Sequence, residues 1–440
     1  SRIASKGYSF RNLTEDSTFD KVGSSIFLSE AENQGFLLCL LNTPFAQHIF
    51  DFLNPSMDLQ VKDVRNLPLP TEIDGGAFKC LAEDCRRIAR ADWNTYERSW
   101  DFQSLPILTT STNPAPTLES SYTTWITQNR ETIAEMKRLE EENNRLFIDA
   151  YGLQDELTPE VPIEQITLTV NPSYRYGGKL TEDELWTRFR EDTMEELVSY
   201  AISCMMGRYS LDEPGLIYAH SGNEGFDPCK YSTFPADDDG IIPLTDTEWF
   251  DDDAANRLEE LISIAWDKIH LEQNLNFLAD NLSPKKGEGS RDTIRRYLSD
   301  KFFKDHLQTY KKRPIYWLFS SGKEKAFQCL VYLHRYNEGT LSRMRTEYVI
   351  PLTSKLATHV NKLEKDKDAA SSTTEIKKLE KEIAGLHKQQ AELSSFDEKL
   401  RHYADQRIAL DLDDGVKVNY GKFGDLLAEV KAVHGKLPAS

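Results

Sequence analysis

The sequence predicts an α+β fold that is predominantly helical, and three observations carry this prediction. Apolar residues recur at helical spacing in several long segments, of which Tyr122 to Tyr151 is the longest. Two aromatic runs, Pro314 to Ser320 and Phe327 to Tyr336, flank Ser321-Gly322-Lys323 and predict a β-hairpin. Residues 341–400 carry two leucine-rich seams, which predict an antiparallel helical-hairpin arm.

Length and composition define the class of protein. A chain of 440 residues exceeds one ordinary core, so two to four domains are expected, and 39% hydrophobic with 28% charged residues is a soluble globular profile. No apolar run approaches the ~20 residues that span a bilayer, and the first residues lack the pattern of a signal peptide. We therefore expect a cytoplasmic protein without a membrane partner. Because the chain does not begin with Met, we expect a fragment of a longer protein.

Residues 1–72 and 73–160 are predicted to form two consecutive regions. In the first, Tyr8 to Phe10 and Ser25 to Leu28 are predicted strands, and Gln34 to Leu53 is a predicted helix that ends before Pro55. The second is a spacer of helices, predicted at Phe78 to Trp100 and Tyr122 to Tyr151.

Residues 161–340 are predicted to form a mixed α/β domain. Ile166 to Val170 and Leu216 to Ala219 are its predicted strands, in addition to the aromatic hairpin. Thr181, with Glu184 three residues later, is the signature of a capped helix, and Asp252 to Leu278 and Arg291 to Tyr310 are further predicted helices.

Residues 341–440 are predicted to form the arm and a C-terminal helix after Asp411 to Tyr420. An internal arm is favoured over a dimerisation zipper because both seams are short. The longer seam comprises Leu379, Ile383, Leu386, Leu393 and Leu400, and the shorter one Leu356, Val360 and Leu363.

The net charge of −19 argues against a nucleic-acid binder, since phosphate neutralisation requires Lys and Arg, but the charge is unevenly distributed. From Lys285 to Arg313, ten Lys or Arg stand against four Asp or Glu. This basic tract is either a solvated helix face with charge pairs or a surface that contacts phosphates. The acidic clusters Asp237 to Asp239 and Asp251 to Asp253 lack the pattern of a calcium loop, and no metal is expected.

The tetrapeptide Asn171-Pro172-Ser173-Tyr174 is close to the Asn-Pro-Pro-aromatic motif of amino-methylating DNA enzymes. In that motif the polar side chain accepts from the target amine and the ring stacks on the flipped base. Here the second Pro is replaced by Ser173, and no Gly-rich cofactor loop precedes the tetrapeptide. We interpret it as a turn after a strand; an independent enzyme that uses it remains a third hypothesis.

Several separate stretches of the chain resemble parts of known proteins. In residues 1–72 they are Lys6-Gly7-Tyr8-Ser9-Phe10-Arg11 and Leu40-Leu41-Asn42-Thr43-Pro44, which look like the end of a target-recognition domain of large fused methyltransferases. Further stretches are Tyr174-Arg175-Tyr176-Gly177-Gly178-Lys179-Leu180, Met206-Gly207-Arg208-Tyr209-Ser210-Leu211, Lys312-Arg313-Pro314-Ile315-Tyr316-Trp317, His334-Arg335-Tyr336 and Asp411-Leu412-Asp413-Asp414-Gly415. Together they resemble the C-terminal region of the PglX family, the adenine-specific DNA methyltransferases of BREX phage-defence systems.

The resemblance implies a parent enzyme that transfers a methyl group from S-adenosylmethionine to adenine N6 and so marks host DNA. The family's cofactor loop and catalytic motif lie in an N-terminal half that this chain lacks, so no catalytic or cofactor-binding residue is carried over. The implied partners are double-stranded DNA and other BREX proteins. An acidic phage DNA-mimic inhibitor would also suit the basic tract.

Two functions follow from this reading as expectations. In the first, the chain is the recognition and scaffold half of the enzyme and contacts DNA phosphates. In the second, it is a module that docks other BREX proteins, and only the missing half touches DNA. The candidate DNA-binding residues are Arg2, Lys6, Arg11, Lys285, Lys286, Arg291, Arg295, Arg296, Lys311, Lys312 and Arg313.

Overall fold

The structure is a computed structural model that describes residues 8–13, 17–18, 25–29, 33–54, 59–70, 75–109 and 116–435. The predicted fold class is confirmed, because the described residues are mainly helical with one three-stranded antiparallel sheet. The chain forms two compact units, Ser1–Phe102 with Thr123–Thr187 and Gln103–Tyr122 with Arg188–Ser440. The division into four domains stays a prediction.

The elements are numbered in chain order. The strands are β1 (Ile241–Pro243), β2 (Tyr316–Ser320) and β3 (Gln328–Tyr332). The helices are α1 (Gln34–Leu41), α2 (Pro44–Leu53), α3 (Val61–Arg65), α4 (Gly75–Asn94), α5 (Pro106–Thr109), α6 (Leu118–Tyr151), α7 (Pro172–Tyr176), α8 (Glu182–Met205), α9 (Ala254–Ala265), α10 (Leu271–Asp280), α11 (Ser290–Asp300), α12 (Phe302–Thr309), α13 (Thr340–Arg343), α14 (Ile350–Ala369), α15 (Thr373–Asp405), α16 (Gly415–Gly421) and α17 (Val430–His434).

The first unit is built on α1, α4 and α6. Phe78 on α4 lies between Phe36 on α1 and Phe147 on α6, with ring centroids 5.5 and 4.7 Å away. The helix predicted from Thr181 is also confirmed, since the Thr181 N–H donates to Glu184 (2.8 Å) ahead of α8. The sequence patterns of the long helices therefore identified them correctly, although α4 ends at Asn94 and not at the predicted Trp100.

The single helix predicted for Gln34 to Leu53 is wrong, because α1 and α2 are separate. Thr43 accepts a hydrogen bond from the Ala46 N–H (3.1 Å), and Pro44 occupies the first position of α2. A capping Thr followed by Pro begins a new helix, so the apolar periodicity runs across a break. No single described helix is long and apolar enough to cross a membrane, whereas α1 and α2 together, bent by 67°, pass that test by length and composition.

The strands predicted at Tyr8 to Phe10 and Ser25 to Leu28 are absent from the described structure. In the first of these segments, backbone N–H groups donate to the side chains of Gln47 (2.8 Å) and Asn42 (3.0 Å). The extended chain thus bonds to side chains of the helical pair and forms no ladder with a neighbouring strand.

The strands predicted at Ile166 to Val170 and Leu216 to Ala219 are also wrong. The first segment does bury alternate residues, but its backbone partner is a carboxylate. Asp92 accepts hydrogen bonds from the N–H groups of Thr169 (2.8 Å) and Val170 (2.9 Å). Burial raises the pKa of Asp92, and these hydrogen bonds partly offset the shift. A pattern of alternate burial therefore arises here without a sheet.

The sheet of the second unit confirms the predicted aromatic hairpin. β2 and β3 are antiparallel neighbours with Leu318 opposite Leu330, and β1 pairs with the other edge of β3. The sequence analysis missed β1, since its three residues are too few to show a pattern. Nearly all strand residues are buried, so continuous apolar runs replace the alternation of a half-exposed sheet.

Two helices predicted in this unit are broken in the structure. The prediction of Asp252 to Leu278 is wrong because α9 ends at Ala265, where the buried Trp266 indole N–H donates to Ser121 (3.0 Å). The prediction of Arg291 to Tyr310 is wrong in its continuity, because α11 and α12 are separated at Lys301.

The predicted arm is an antiparallel pair of helices, α14 and α15, that pack against each other within the chain. A π-helical segment, Met344–Val349, precedes α14 and forms the root of the arm. The buried seam residues are Leu356, Val360, Leu363, Ile383, Leu386, Leu393 and Leu400, and Leu379 is half-buried.

Candidate nucleic-acid interface

The basic tract from Lys285 to Arg313 lies in the second unit and comprises a loop, the two helices α11 and α12, and a turn that leads into β2. The structure separates its cations into two groups. The three arginines of α11 and Lys301, which lies between the helices, are paired with carboxylates. Lys304 on α12 and the cations of the loop and the turn form no ion pair with a described residue.

Arg291 on α11 lies between two carboxylates of other helices. Its guanidinium donates twice to Glu259 on α9 (2.8 and 2.8 Å) and twice to Glu272 on α10 (2.7 and 3.0 Å). The hydrogen bonds that Arg291 donates to Glu272 and Glu259 raise its pKa. Arg291 therefore links α9, α10 and α11, and the two carboxylates neutralise its charge.

Arg295 forms an ion pair with Asp253, the residue that caps α9, and also donates to the carbonyl of Thr245 (3.3 Å). The Asp253 side chain is 1% exposed and that of Arg295 is 16% exposed. A buried carboxylate requires a partner of this kind, because its transfer out of water is costly. Arg295 therefore has a structural role.

Arg296 is held by the loop that precedes α11. It donates to both oxygens of Glu288 (2.8 and 2.9 Å) and to the carbonyl of Ser283 (2.8 Å). The hydrogen bond from Arg296, followed by one from the Lys285 N–H, lowers the pKa of Glu288 to about 2. The three arginines of α11 that were proposed from the sequence as phosphate contacts are thus paired within the chain; their contact with DNA stays a prediction.

The remaining cations of the tract are exposed. Lys285 and Lys286 lie in the loop before α11, and Lys311, Lys312 and Arg313 follow α12. None of these five side chains forms an ion pair with a described residue. The charges of these five side chains are therefore available to a binding partner.

The turn of Lys311, Lys312 and Arg313, called the lysine turn below, has an unusual backbone. Lys311 and Lys312 have φ values of 48° and 62°, in the left-handed region that residues other than glycine rarely adopt. The turn is fixed by hydrogen bonds from the Lys312 N–H to the Leu307 carbonyl (2.7 Å) and from the Arg313 N–H to the Tyr310 carbonyl (2.9 Å). A rigid backbone thus presents three adjacent cations at the surface.

One basic residue near the lysine turn was missed by the sequence analysis. Lys304 on α12 is exposed and forms no ion pair with a described residue. It lines a shallow groove of about 360 Å³ together with Leu307, Gln308, Lys312, Glu429 and Ala432. Lys304 and Gln308 are four residues apart on one face of α12, and this spacing could have identified part of the groove.

The predicted basic residues near the start of the chain belong to the first unit. Arg2 and Lys6 lie outside the described residues. Arg11 is exposed and donates to the Phe10 carbonyl (3.0 Å) and to Thr167 (3.1 Å). Its contact with DNA stays a prediction.

The tetrapeptide that begins at Asn171 forms a helix start. Asn171 is buried, and its amide donates to the carbonyls of Ile163 (2.7 Å) and Ile166 (2.9 Å). Its side-chain oxygen accepts from the Ser173 N–H (3.2 Å) and so caps α7. An amide engaged in this way does not fit the role of receiving a target amine, and we derive no methyl-transfer step from it.

Within the described part of the chain, no group of three or more His, Cys, Asp or Glu side chains is arranged to hold a metal ion.

Comparison with known proteins identifies relatives along nearly the whole chain. The chain is 44% identical over 99% of its length to the adenine-specific methyltransferase BrxX of Escherichia coli O9:H4 (strain HS), of which it covers 36%. It is 37% identical over 96% of its length to the adenine-specific methyltransferase PglX of Lacticaseibacillus casei (strain Zhang), of which it covers 34%. No family model matches the chain. The chain spans about a third of the length of these relatives, and over that third its sequence is similar to both of these adenine-specific methyltransferases.

Proposed function

We propose that the chain is the DNA-recognition and scaffold part of a site-specific DNA adenine-N6 methyltransferase that acts in BREX phage defence in the cytoplasm. The parent enzyme would use S-adenosylmethionine bound outside this chain and would mark host DNA. The names of the two relatives, adenine-specific methyltransferases, support the reaction class.

The observation that carries the DNA contact is the lysine turn. Its three cations are exposed, unpaired with described carboxylates and adjacent in the chain, whereas the arginines of α11 are neutralised by carboxylates. Unpaired cations release counterions when they bind phosphates, and this release supplies much of the affinity of proteins for DNA. The lysine turn, with Lys304 and the loop lysines Lys285 and Lys286, is therefore the surface that we assign to the DNA backbone.

Contacts to phosphates position a protein on DNA but do not read its sequence. Removal of the lysine turn should therefore lower methylation of all target sites alike. The experiment replaces Lys311, Lys312 and Arg313 by Ala in the full-length enzyme and measures adenine-N6 methylation of host DNA by long-read sequencing. We expect a reduced fraction of methylated sites and an unchanged recognition motif. Methylation equal to that of the unmodified enzyme would overturn the assignment.

A second candidate function, the docking of other BREX proteins, is favoured by the outer part of the arm. Residues 361–382 carry six Lys and six Asp or Glu, and most of these positions are exposed. A surface without net charge gains little from DNA phosphates, so a protein partner suits it better. Co-purification of BREX proteins with the full-length enzyme, compared with a variant in which Lys377, Lys378 and Lys381 are reversed to Glu, tests this role. If the variant co-purifies the same amount of BREX proteins as the unmodified enzyme, the arm is not their docking site.

A further inference from the structure

The root of the arm contains a group of oxygens around the hydroxyl of one buried tyrosine. Tyr348 is 5% exposed and lies in the π-helical segment that precedes α14. Its Oη is 2.8 Å from Asp252 Oδ2, 3.3 Å from Asp239 Oδ2 and 3.3 Å from the carbonyl oxygen of Ile241. These oxygens come from three separate segments of the second unit: the turn before β1, the loop before α9 and the arm.

The hydrogens available to this group are too few if both carboxylates are ionised. A tyrosine hydroxyl has one hydrogen to donate, and a carboxylate and a carbonyl can only accept. The short contact with Asp252 takes the Tyr348 hydrogen. The contact between Tyr348 Oη and Asp239 Oδ2 would then join two oxygens without a hydrogen, at the hydroxyl of a buried tyrosine. One additional proton on Asp239 Oδ2 makes this contact a hydrogen bond to the tyrosine oxygen.

The neighbouring Asp237 explains why the proton belongs on Asp239. Asp237 Oδ1 accepts from the backbone N–H groups of Asp239 (3.0 Å), Gly240 (2.6 Å) and Ile241 (3.2 Å). Backbone N–H donors stabilise the ionised form of a carboxyl group. The Ile241 N–H is shared with Asp239 Oδ1 (2.8 Å), whereas the N–H groups of Asp239 and Gly240 donate to Asp237. Of these two adjacent carboxyl groups, Asp239 is therefore the one that keeps a proton.

The cations nearby do not neutralise Asp239. Arg335 is buried and donates to the backbone carbonyls of Asp237 (2.5 Å) and Asp238 (2.9 Å), not to a carboxylate. Arg343 is exposed and faces Glu347 at 3.7 Å. Burial, together with the adjacent Asp237, raises the pKa of Asp239 to about 8.

We propose that Asp239 is protonated at neutral pH and that this proton is a latch, which holds the root of the arm against the turn before β1 and the loop before α9. Loss of the proton would leave two ionised carboxylates, Asp239 and Asp252, against one tyrosine hydroxyl and weaken the attachment of the π-helical segment. π-Helical segments are often found where a helix serves a function, and here the segment brings Tyr348 to the latch. The groups that face Asp239 are Asp237, Asp252, Cys329, Arg335, Arg343 and Tyr348.

Infrared spectroscopy of the full chain detects such a proton directly, through the carbonyl stretch of a protonated carboxylic acid. We expect this band at neutral pH, with loss at a midpoint near pH 8. Glu140, whose pKa burial raises to about 7, should contribute a component to this band in every variant. Asp239→Asn should lack only the component that is lost near pH 8, since an amide replaces the acid and still offers a hydrogen to Tyr348. Asp238→Asn is the matched control, because Asp238 is the exposed neighbour and should leave both components unchanged. The absence of a component with a midpoint near pH 8 in the unmodified chain, or its survival in Asp239→Asn, would overturn the protonation.

Hydrogen exchange of the backbone amides at residues 344–349 then tests the latch itself. After correction for base-catalysed exchange, protection in the unmodified chain should fall as the pH rises through the midpoint of the infrared band. In Asp239→Asn protection should stay constant over the same range. An equal loss of protection in both proteins would overturn the latch even if Asp239 is protonated. Neither measurement involves DNA, so the outcome does not depend on the proposed function.

Discussion

Replacement of Arg295 by Leu should destabilise the second unit far more than replacement of Arg291 by Leu, although both arginines belong to the same basic helix. Arg295→Leu strands the Asp253 carboxylate, of which 1% is exposed, without its cation. Breaking a buried ion pair at one partner costs about 3–5 kcal/mol, and we expect about 3 kcal/mol because the Asn256 N–H still donates to Asp253 (2.9 Å). Arg291 is 49% exposed, and its loss should change stability little.

Equilibrium unfolding in urea gives the free energies for this comparison. The double variant Arg295→Leu with Asp253→Asn should recover most of the lost stability, since the amide still caps α9 and leaves no buried charge. Equal unfolding midpoints for Arg295→Leu and Arg291→Leu would refute the structural role of Arg295. Failure of the double variant to recover stability would show that the loss comes from packing and not from an unpaired charge.

Three further outcomes are expected. Gly207→Ala should lower the free energy of unfolding in urea by about 2–3 kcal/mol, because φ at Gly207 is +75° and the added carbon would lie 2.6 Å from Phe226. Gly225→Ala is the control, since Gly225 has a similar φ (+68°) but open space around it, and should lower it by about 1 kcal/mol. Equal losses in the two variants would contradict the steric argument. Asn171→Ala should lower the stability of the chain by about 2–3 kcal/mol, because α7 loses its cap and the carbonyls of Ile163 and Ile166 lose their hydrogen-bond donor. An unchanged thermal unfolding temperature would contradict this prediction. Asp239 should contribute stability that is lost as the pH rises from about 4 to about 8, because the folded state keeps a proton on Asp239 that the unfolded state, with a pKa of 3.8, releases. The free energy of unfolding of the unmodified chain minus that of Asp239→Asn should therefore fall over this range, and a constant difference would contradict the assignment.

Local sequence patterns were sufficient to predict those elements whose structure depends on residues close together in the chain. The pair Thr181 and Glu184 marked the start of α8, and the aromatic runs on both sides of Ser321-Gly322-Lys323 marked the hairpin. The leucine seams of the arm were readable for the same reason, since α14 and α15 are consecutive in the chain. Each of these patterns is satisfied by residues that are close in sequence.

The features that could not be predicted depend on contacts between residues that are far apart in sequence. The carboxylates that neutralise Arg291 lie 32 and 19 residues away, so a count of local charge could not separate Arg291 from Lys311. Likewise, Asp92 binds a backbone segment 77 residues later and produces alternate burial without a strand. The division of the basic tract into paired and exposed cations therefore required the tertiary structure.

The central claim, that the lysine turn contacts DNA phosphates, is tested most directly by the salt dependence of duplex binding to this chain. The logarithm of the binding constant falls with the logarithm of salt concentration by about 0.9 for each phosphate contact. Replacement of Lys311, Lys312 and Arg313 by Ala should therefore reduce the slope by up to about 2.7, whereas replacement of Lys377, Lys378 and Lys381 on the arm should leave it unchanged. An unchanged slope for the lysine-turn variant, or an equal reduction in both variants, would contradict the account.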